Sequence, residues 1–133
     1  DVCSSDLDIA HAAARQVHDA LLGALKSEQG RWILGPHESA GCEVPMSSLH
    51  PDIPESFSHH VIDRTFIHAG DRWIIDYKTL RANDAEQLNE QMLKDKAATY
   101  RPQLERYAAL FTAEGLNIRT AIFFPIHGKL IEV

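Results

Sequence analysis

An aspartate and a lysine share one face of a predicted strand, and their types suit metal-dependent hydrolysis. Val61–Ile67 and Trp73–Thr79 are rich in β-branched and aromatic residues, and the intervening His68–Asp71 segment is typical of a turn. This pattern predicts a β-hairpin. Asp76 and Lys78 are two residues apart on its second strand, so their side chains project from the same face.

The register of this hairpin brings a second carboxylate to the same place. A turn centred between Ala69 and Gly70 places Asp63 directly across from Asp76, at a usual cross-strand distance of about 5 Å. Facing carboxylates repel each other, and a hard divalent cation such as Mg²⁺ or Mn²⁺ relieves that repulsion through oxygen ligands. Lys78 could then orient or deprotonate a water, or stabilise charge on a phosphate.

The same residues also fit a purely structural interpretation. Asp63 could pair with Arg64 or Arg72, and Asp76 with Lys78, as solvent-facing strand charges. However, both acids directly follow pairs of apolar strand residues, which favours burial, and a buried acid needs a compensating group.

The elements that would position these residues follow from the rest of the pattern. Apolar residues at helical spacing predict an amphipathic helix over residues 6–26 with Leu21 and Leu25 on its apolar face, and Gly30 follows its end. The pattern further predicts short strands and loops over 31–58, such as Cys42–Met46, helices over 84–96 and 99–114, and strands over 118–124 and 129–133. The order predicts an α/β fold, an α+β mixed sheet flanked by helices.

Bulk composition limits the possible functions. The 133 residues fit one domain, 1–133, and the net charge of −6 argues against a broad basic surface for nucleic acid. Cys3 and Cys42 are too few for a disulfide framework or a four-cysteine metal site, so reduced thiols are expected. With no membrane-length apolar run and no signal peptide, a cytoplasmic protein is expected. The first residue is Asp rather than Met, which suggests a fragment of a longer protein.

Three ordered motifs resemble those of RecB-like nucleases in the PD-(D/E)xK superfamily: Ile62-Asp63, Ile74–Thr79 and Gln103-x-x-x-Tyr107. The resemblance extends from His18 to Val133 and implies a restriction-endonuclease-like fold. It implies a Mg²⁺-dependent DNA exonuclease at the C-terminus of a UvrD/Rep-type (AddA/RecB-like) helicase–nuclease. Such proteins act on DNA in double-strand-break repair and recombination, usually with a second large subunit, and the resemblance implies single-stranded DNA as the substrate here.

The resemblance also implies a role for each motif residue. Asp63, Asp76 and the main-chain carbonyl of Tyr77 would bind the metal, and Lys78 would be the catalytic lysine. Glu43 on the preceding strand is a candidate supporting ligand for a second metal, with no family motif behind it.

Two further elements carry candidate residues. Gln103 and Tyr107, at i and i+4 on one helix, would contact DNA; the alternative is a surface polar pair with Tyr107 packed in the core. His18 is the candidate for a metal-binding histidine in a G-x-x-x-H pattern, although Ala14 replaces the glycine, and a half-buried packing histidine is the alternative. His59 could approach the phosphate backbone.

Two other functions fit the same fold. One is an inactive nuclease-like module that binds DNA or scaffolds a helicase subunit; intact Asp63, Asp76 and Lys78 argue against it. The other is a restriction or repair endonuclease that works without a helicase, but the sequence shows no recognition loop or basic cleft. Residues 80–98 have weak apolar periodicity, which suggests that they become ordered against DNA or a partner.

Overall fold

The computed structural model describes residues 14–15, 18–49, 57–79 and 89–133, with side chains described outside 47–49 and 57–59. The elements in chain order are helix α1 (14–15 and 18–26), helix α2 (Glu28–Leu34), strands β1 (Glu38–Leu49), β2 (Phe57–His68) and β3 (Asp71–Tyr77), helices α3 (Glu90–Ala98) and α4 (Arg101–Ala109), a 3₁₀ turn (Thr112–Glu114), and strands β4 (Asn117–Phe124) and β5 (Lys129–Glu132). No helix among these described residues is long and apolar enough to span a membrane.

The five strands form one mixed sheet in the order β1-β2-β3-β4-β5. Neighbouring strands are antiparallel except β3 and β4, which are parallel. A parallel pair needs a crossover connection, and α3 and α4 lie within it. The prediction of a mixed sheet flanked by helices is therefore confirmed.

Apolar side chains cover both faces of the sheet. On one face, the sheet packs against α3 and α4; this first core contains Ile62, Ile74, Leu93, Ala97, Leu104, Tyr107, Ile122, Phe124 and Ile131. The second core lies on the opposite face with α1 and α2 and contains Ala24, Ile33, Phe66, Trp73, Ile75, Ala121 and Phe123. The central strand β3 is consequently buried on both faces.

The predicted hairpin and its register are confirmed. Arg64 pairs with Ile75, and the ladder continues without a break to the two-residue turn at Ala69 and Gly70. Both turn residues have positive φ, 51° and 81°, which is the conformation of a type I′ turn. This turn matches the natural twist of the two strands, so it fixes the register on which the site depends.

Strand β2 changes its buried face in the middle. Ile62 lies in the first core, whereas Phe66 lies in the second, although residues four apart on a regular strand face the same way. The described β1–β2 ladder pairs Val44 with Ile62 and skips the next position, where Glu43 has a φ of +49°. The break in alternation is therefore at Asp63, between two separate packing faces.

The prediction for the first helix is wrong about which side faces inward. Leu21 and Leu25 are 55% and 56% exposed, while Ala24 is buried. Gly23 packs so tightly on the β4–β5 connection that a Cβ there would lie 2.0 Å from the Pro125 carbonyl oxygen. Small residues therefore face the sheet, because the backbones meet too closely to admit leucine.

Residues 28–49 also differ from the prediction. Gly30 is a buried residue inside helix α2 rather than the residue after α1, since Ser27 caps a new helix by accepting from the Gly30 N–H at 2.8 Å. The predicted Cys42–Met46 strand is part of the longer strand β1. The hairpin and helix-capping signals were local, but this strand is stabilised by pairing with β2.

Helices α3 (Glu90–Ala98) and α4 (Arg101–Ala109) confirm the two helices predicted over 84–96 and 99–114, with different limits. Pro102 lies in the first turn of α4, and Gly115 has a φ of +74° at the end of the 3₁₀ turn, as expected. After α4 ends at Ala109, buried Arg72 holds the next segment, with its guanidinium 4.8 Å from the Phe111 ring and hydrogen-bonded to Glu114. Residues 80–88 lie outside the described residues.

Ala69→Asn is expected to stabilise the protein by roughly 0.5–1 kcal/mol, because asparagine tolerates positive φ in a type I′ turn better than alanine does. Ala69 is exposed, so the change adds no core contact. Chemical denaturation measures the gain. The control is Ala98→Asn at an exposed helix position, which should destabilise through lower helix propensity. A loss of stability in Ala69→Asn would contradict the turn type.

Candidate active site

Two acidic residues of the hairpin, Asp63 and Asp76, are next to each other at the end of β3 away from the turn. Asp63 and Asp76 directly follow the last paired residues, Arg64 and Ile75, when the ladder is traced away from the turn. Oδ2 of Asp63 accepts a hydrogen bond from the Tyr77 N–H at 2.9 Å. The Asp63 side chain therefore hydrogen-bonds to the backbone of β3 at the point where regular pairing between the β2 and β3 backbones stops.

Asp76 is a buried acid whose charge is only partly compensated. Its side chain is 6% exposed. Burial and the neighbouring Asp63 carboxyl raise the pKa of Asp76 to about 6, although Lys78 opposes the shift. Oδ2 lies 2.8 Å from the Lys78 Nζ, but among the described residues it has no partner in hydrogen-bond geometry. The oxygen is thus a buried acceptor whose charge is balanced mainly by the nearby ammonium.

Lys78 contributes a charged ammonium to the same face. Burial lowers its pKa, but the Asp76 carboxylate more than offsets this effect, so the pKa lies above its ordinary value. Nζ also lies 4.4 Å from the centre of the Tyr100 ring. A lysine that keeps its proton at neutral pH is a poor base, which favours stabilisation of negative charge over deprotonation of a water.

The donor set of Asp63 and Asp76 fits a hard divalent cation. Both groups supply oxygen, and their mutual repulsion is the condition that a bound cation relieves. Tyr77 directly follows Asp76 in the chain, and its N–H already orients Asp63; its carbonyl as a ligand stays a prediction. Its phenol lies on the other side of the strand, where burial raises the pKa of Tyr77 to about 12.

Gln103 and Tyr107 lie on the face of α4 that covers the first core. Nε2 of Gln103 donates to the Tyr107 hydroxyl at 2.9 Å, and the tyrosine side chain is buried. The His60 ring of β2 packs edge-on against Tyr107 at 5.7 Å. The Tyr107 ring is therefore a core residue whose hydroxyl is held by Gln103, and a DNA contact by this pair stays a prediction.

The structure does not join the remaining candidates to the acids. His18 is 70% exposed, with Nδ1 3.8 Å from Asp19, and Glu43 is also exposed. No three His, Cys, Asp or Glu side chains converge to hold a metal within the described part of the chain. Their ligand roles stay predictions, and the side chain of His59 lies outside the described residues.

The sequence interpretation missed Tyr100, which contacts the site directly. It lies at the junction of α3 and α4, three residues before Gln103 and seven before Tyr107. Positions with these separations share one helix face, so an extension of the Q-x-x-x-Y stripe by one turn would have found it.

A scan against protein-family models found no match for this chain, and a search of curated proteins found no match either.

Asp76→Asn is expected to stabilise the metal-free protein at neutral pH by about 1–3 kcal/mol. The raised pKa means that the folded protein binds this proton more tightly than the unfolded chain does. In the wild type, the stabilisation that comes from this bound proton is complete below the ordinary pKa of 3.8 and is lost as the pH rises through about 6. Denaturation in a chelator over this pH range measures the difference.

The control is Glu114→Gln, whose expected effect on stability at neutral pH is opposite in sign. A hydrogen bond from Arg72 lowers the pKa of Glu114, so the charged form stabilises the fold, and Glu114→Gln should reduce stability at neutral pH. If Asp76→Asn lost stability as steeply as the wild type while the pH rose through about 6, the buried position of Asp76 would be wrong.

Proposed function

We propose that this chain is a metal-dependent nuclease that hydrolyses DNA phosphodiester bonds in the manner of RecB-like nucleases. One observation carries the proposal: the Asp63 and Asp76 carboxylates lie next to each other at the end of a buried strand, with the Lys78 ammonium 2.8 Å from Asp76. A solvent-facing salt bridge would not require burial of the acid. The more specific restriction-endonuclease-like fold is part of this proposal.

Each residue of the site then has a separate task. Asp63 and Asp76 would hold Mg²⁺, with Mn²⁺ as a substitute, and the cation would supply polarisation of the phosphate and a more acidic water. The Tyr77 N–H fixes one oxygen of Asp63, so this carboxylate is oriented before any cation is bound. The Lys78 ammonium would stabilise the negative charge that develops on the phosphate as the bond breaks.

The charge of the chain supports a partner that delivers the DNA. With a net charge of −6, phosphate binding by a broad basic surface is weak. A helicase in the same natural protein would raise the effective concentration of a single strand at the site and remove the need for such a surface. We therefore propose exonuclease action beside a superfamily 1 helicase in double-strand-break repair in the cytoplasm, with a second large subunit as a further partner.

The first test is cleavage of end-labelled single-stranded DNA in Mg²⁺ or Mn²⁺. Wild-type protein should shorten the strand, and either a chelator or Asp76→Ala should abolish cleavage, because the cation loses a ligand. Asp95→Asn is the matched control. This exposed carboxylate accepts a hydrogen bond from Gln91 on the same helix, α3, so its removal should leave the rate unchanged.

Metal binding is measured separately by thermal unfolding. A cation that binds the folded protein at a hundred times its Kd should stabilise it by about 2.7 kcal/mol, and Asp76→Ala should lose that gain. Wild-type protein that neither cuts DNA nor gains stability from either cation would contradict the nuclease proposal and favour the inactive DNA-binding or scaffolding module.

Lys78→Met is expected to separate catalysis from metal binding. Removal of the ammonium should lower the cleavage rate by roughly 10²–10³-fold through lost charge stabilisation. The cation should still raise the unfolding temperature of this variant, because both carboxylates remain and a competing positive charge has gone. Loss of the metal-dependent gain in stability would instead make Lys78 a structural partner of Asp76.

A further inference from the structure

The Tyr100 ring contacts Lys78 from the helical side of the site. Nζ lies 4.4 Å from the ring centre, well within the range of cation–π attraction, and the lysine side chain is only 27% exposed. We infer that Tyr100 is a positioning residue for Lys78, and that its ring holds the ammonium at the site independently of Asp76.

The ring is well anchored for this purpose. The Tyr100 N–H donates to the Ala97 carbonyl at 3.0 Å, and the Tyr100 carbonyl accepts from the Leu104 N–H at 3.1 Å. These bonds fix the residue where α3 ends and α4 begins. The half-buried ring also packs against the first core, in which both Ala97 and Leu104 are fully buried. Its position is therefore set by two helices and not by Lys78.

A second partner for Lys78 matters because its first partner, Asp76, has a competing task. Lys78 pairs with Oδ2 of Asp76, the buried oxygen without a hydrogen bond. Under the proposed function, on which this step rests, the same carboxylate holds a cation. A lysine has a long, flexible stem and leaves a site readily when its only partner is taken. The Tyr100 ring supplies attraction that does not depend on that oxygen.

The direct test is NMR of the metal-free protein, without DNA. Protons above an aromatic ring resonate upfield, so the ε-methylene protons of Lys78 should be shifted upfield in the wild type. The decisive sample is Asp76→Asn, which keeps Tyr100 and removes the carboxylate charge; the upfield shift should persist. A return of these protons to ordinary lysine positions in Asp76→Asn would overturn the inference.

Variants of the ring provide the matched comparison. Tyr100→Phe keeps an aromatic face and should retain the upfield shift, whereas Tyr100→Leu should abolish it. Lys78→Met identifies the signals, and Lys94, whose side chain is 53% exposed on α3, is the internal control that should not move. Should Tyr100→Leu fail to fold, the Asp76→Asn spectrum still decides the question.

Activity gives an independent readout in the loaded protein. Tyr100→Leu should lower the cleavage rate about fivefold to thirtyfold, which corresponds to about 1–2 kcal/mol of cation–π attraction, and Tyr100→Phe should restore most of it. Equal rates for the leucine and phenylalanine variants would overturn the positioning role. Absence of cleavage in the wild type would overturn the proposed function alone, because the NMR comparison needs neither DNA nor metal.

Discussion

The Asp76 carboxylate is only 6% exposed and has therefore lost most of its hydration, and the sheet holds it beside a second carboxylate, that of Asp63. Both conditions penalise the charged form, and a single ammonium 2.8 Å away compensates for only part of the penalty. The fold must hold this unfavourable arrangement in place by other contacts. The parallel pairing of β3 with β4 and the two helices between them supply the necessary packing.

Two buried arginines show how the chain treats charges that have only a structural purpose. Arg64 donates to the carbonyl oxygens of Ile33 and Gly35, each at 2.9 Å, and to the Cys42 sulfur at 3.2 Å. Arg72 is likewise hydrogen-bonded and paired with a glutamate. Both arginines join distant segments and are well supplied with partners. Asp76 differs, because one of its oxygens is buried without a hydrogen bond among the described residues.

The site also lies where the regular sheet is interrupted. Strand β2 turns from one core to the other at Asp63, and the neighbouring Glu43 has a left-handed backbone conformation. Such conformations cost of order 1 kcal/mol or more in a residue other than glycine. Pairing on both sides of the break holds it in place. Because regular pairing is interrupted, the Tyr77 N–H donates to the Asp63 side chain. The irregular backbone therefore sets the orientation of this carboxylate.

The sequence by itself determined the hairpin, its register and the shared face of Asp76 and Lys78, because turn chemistry and two-residue alternation are local properties. Local signals also located the last two strands and the first turn of α4. They could not show that β4 lies parallel to β3, since that pairing is made by residues more than forty positions apart, such as Asp76 and Ile122.

Only the tertiary structure decided which helix faces are buried and what surrounds the lysine. Leucines at helical spacing predicted the inner face of α1, yet the close approach of Gly23 to Pro125 selected the small residues. Likewise, spacing located Lys78, but its contact with Tyr100 depends on how the α3–α4 junction packs on the sheet. Burial and long-range contacts of this kind are properties of the packed chain, because each depends on elements far apart in sequence.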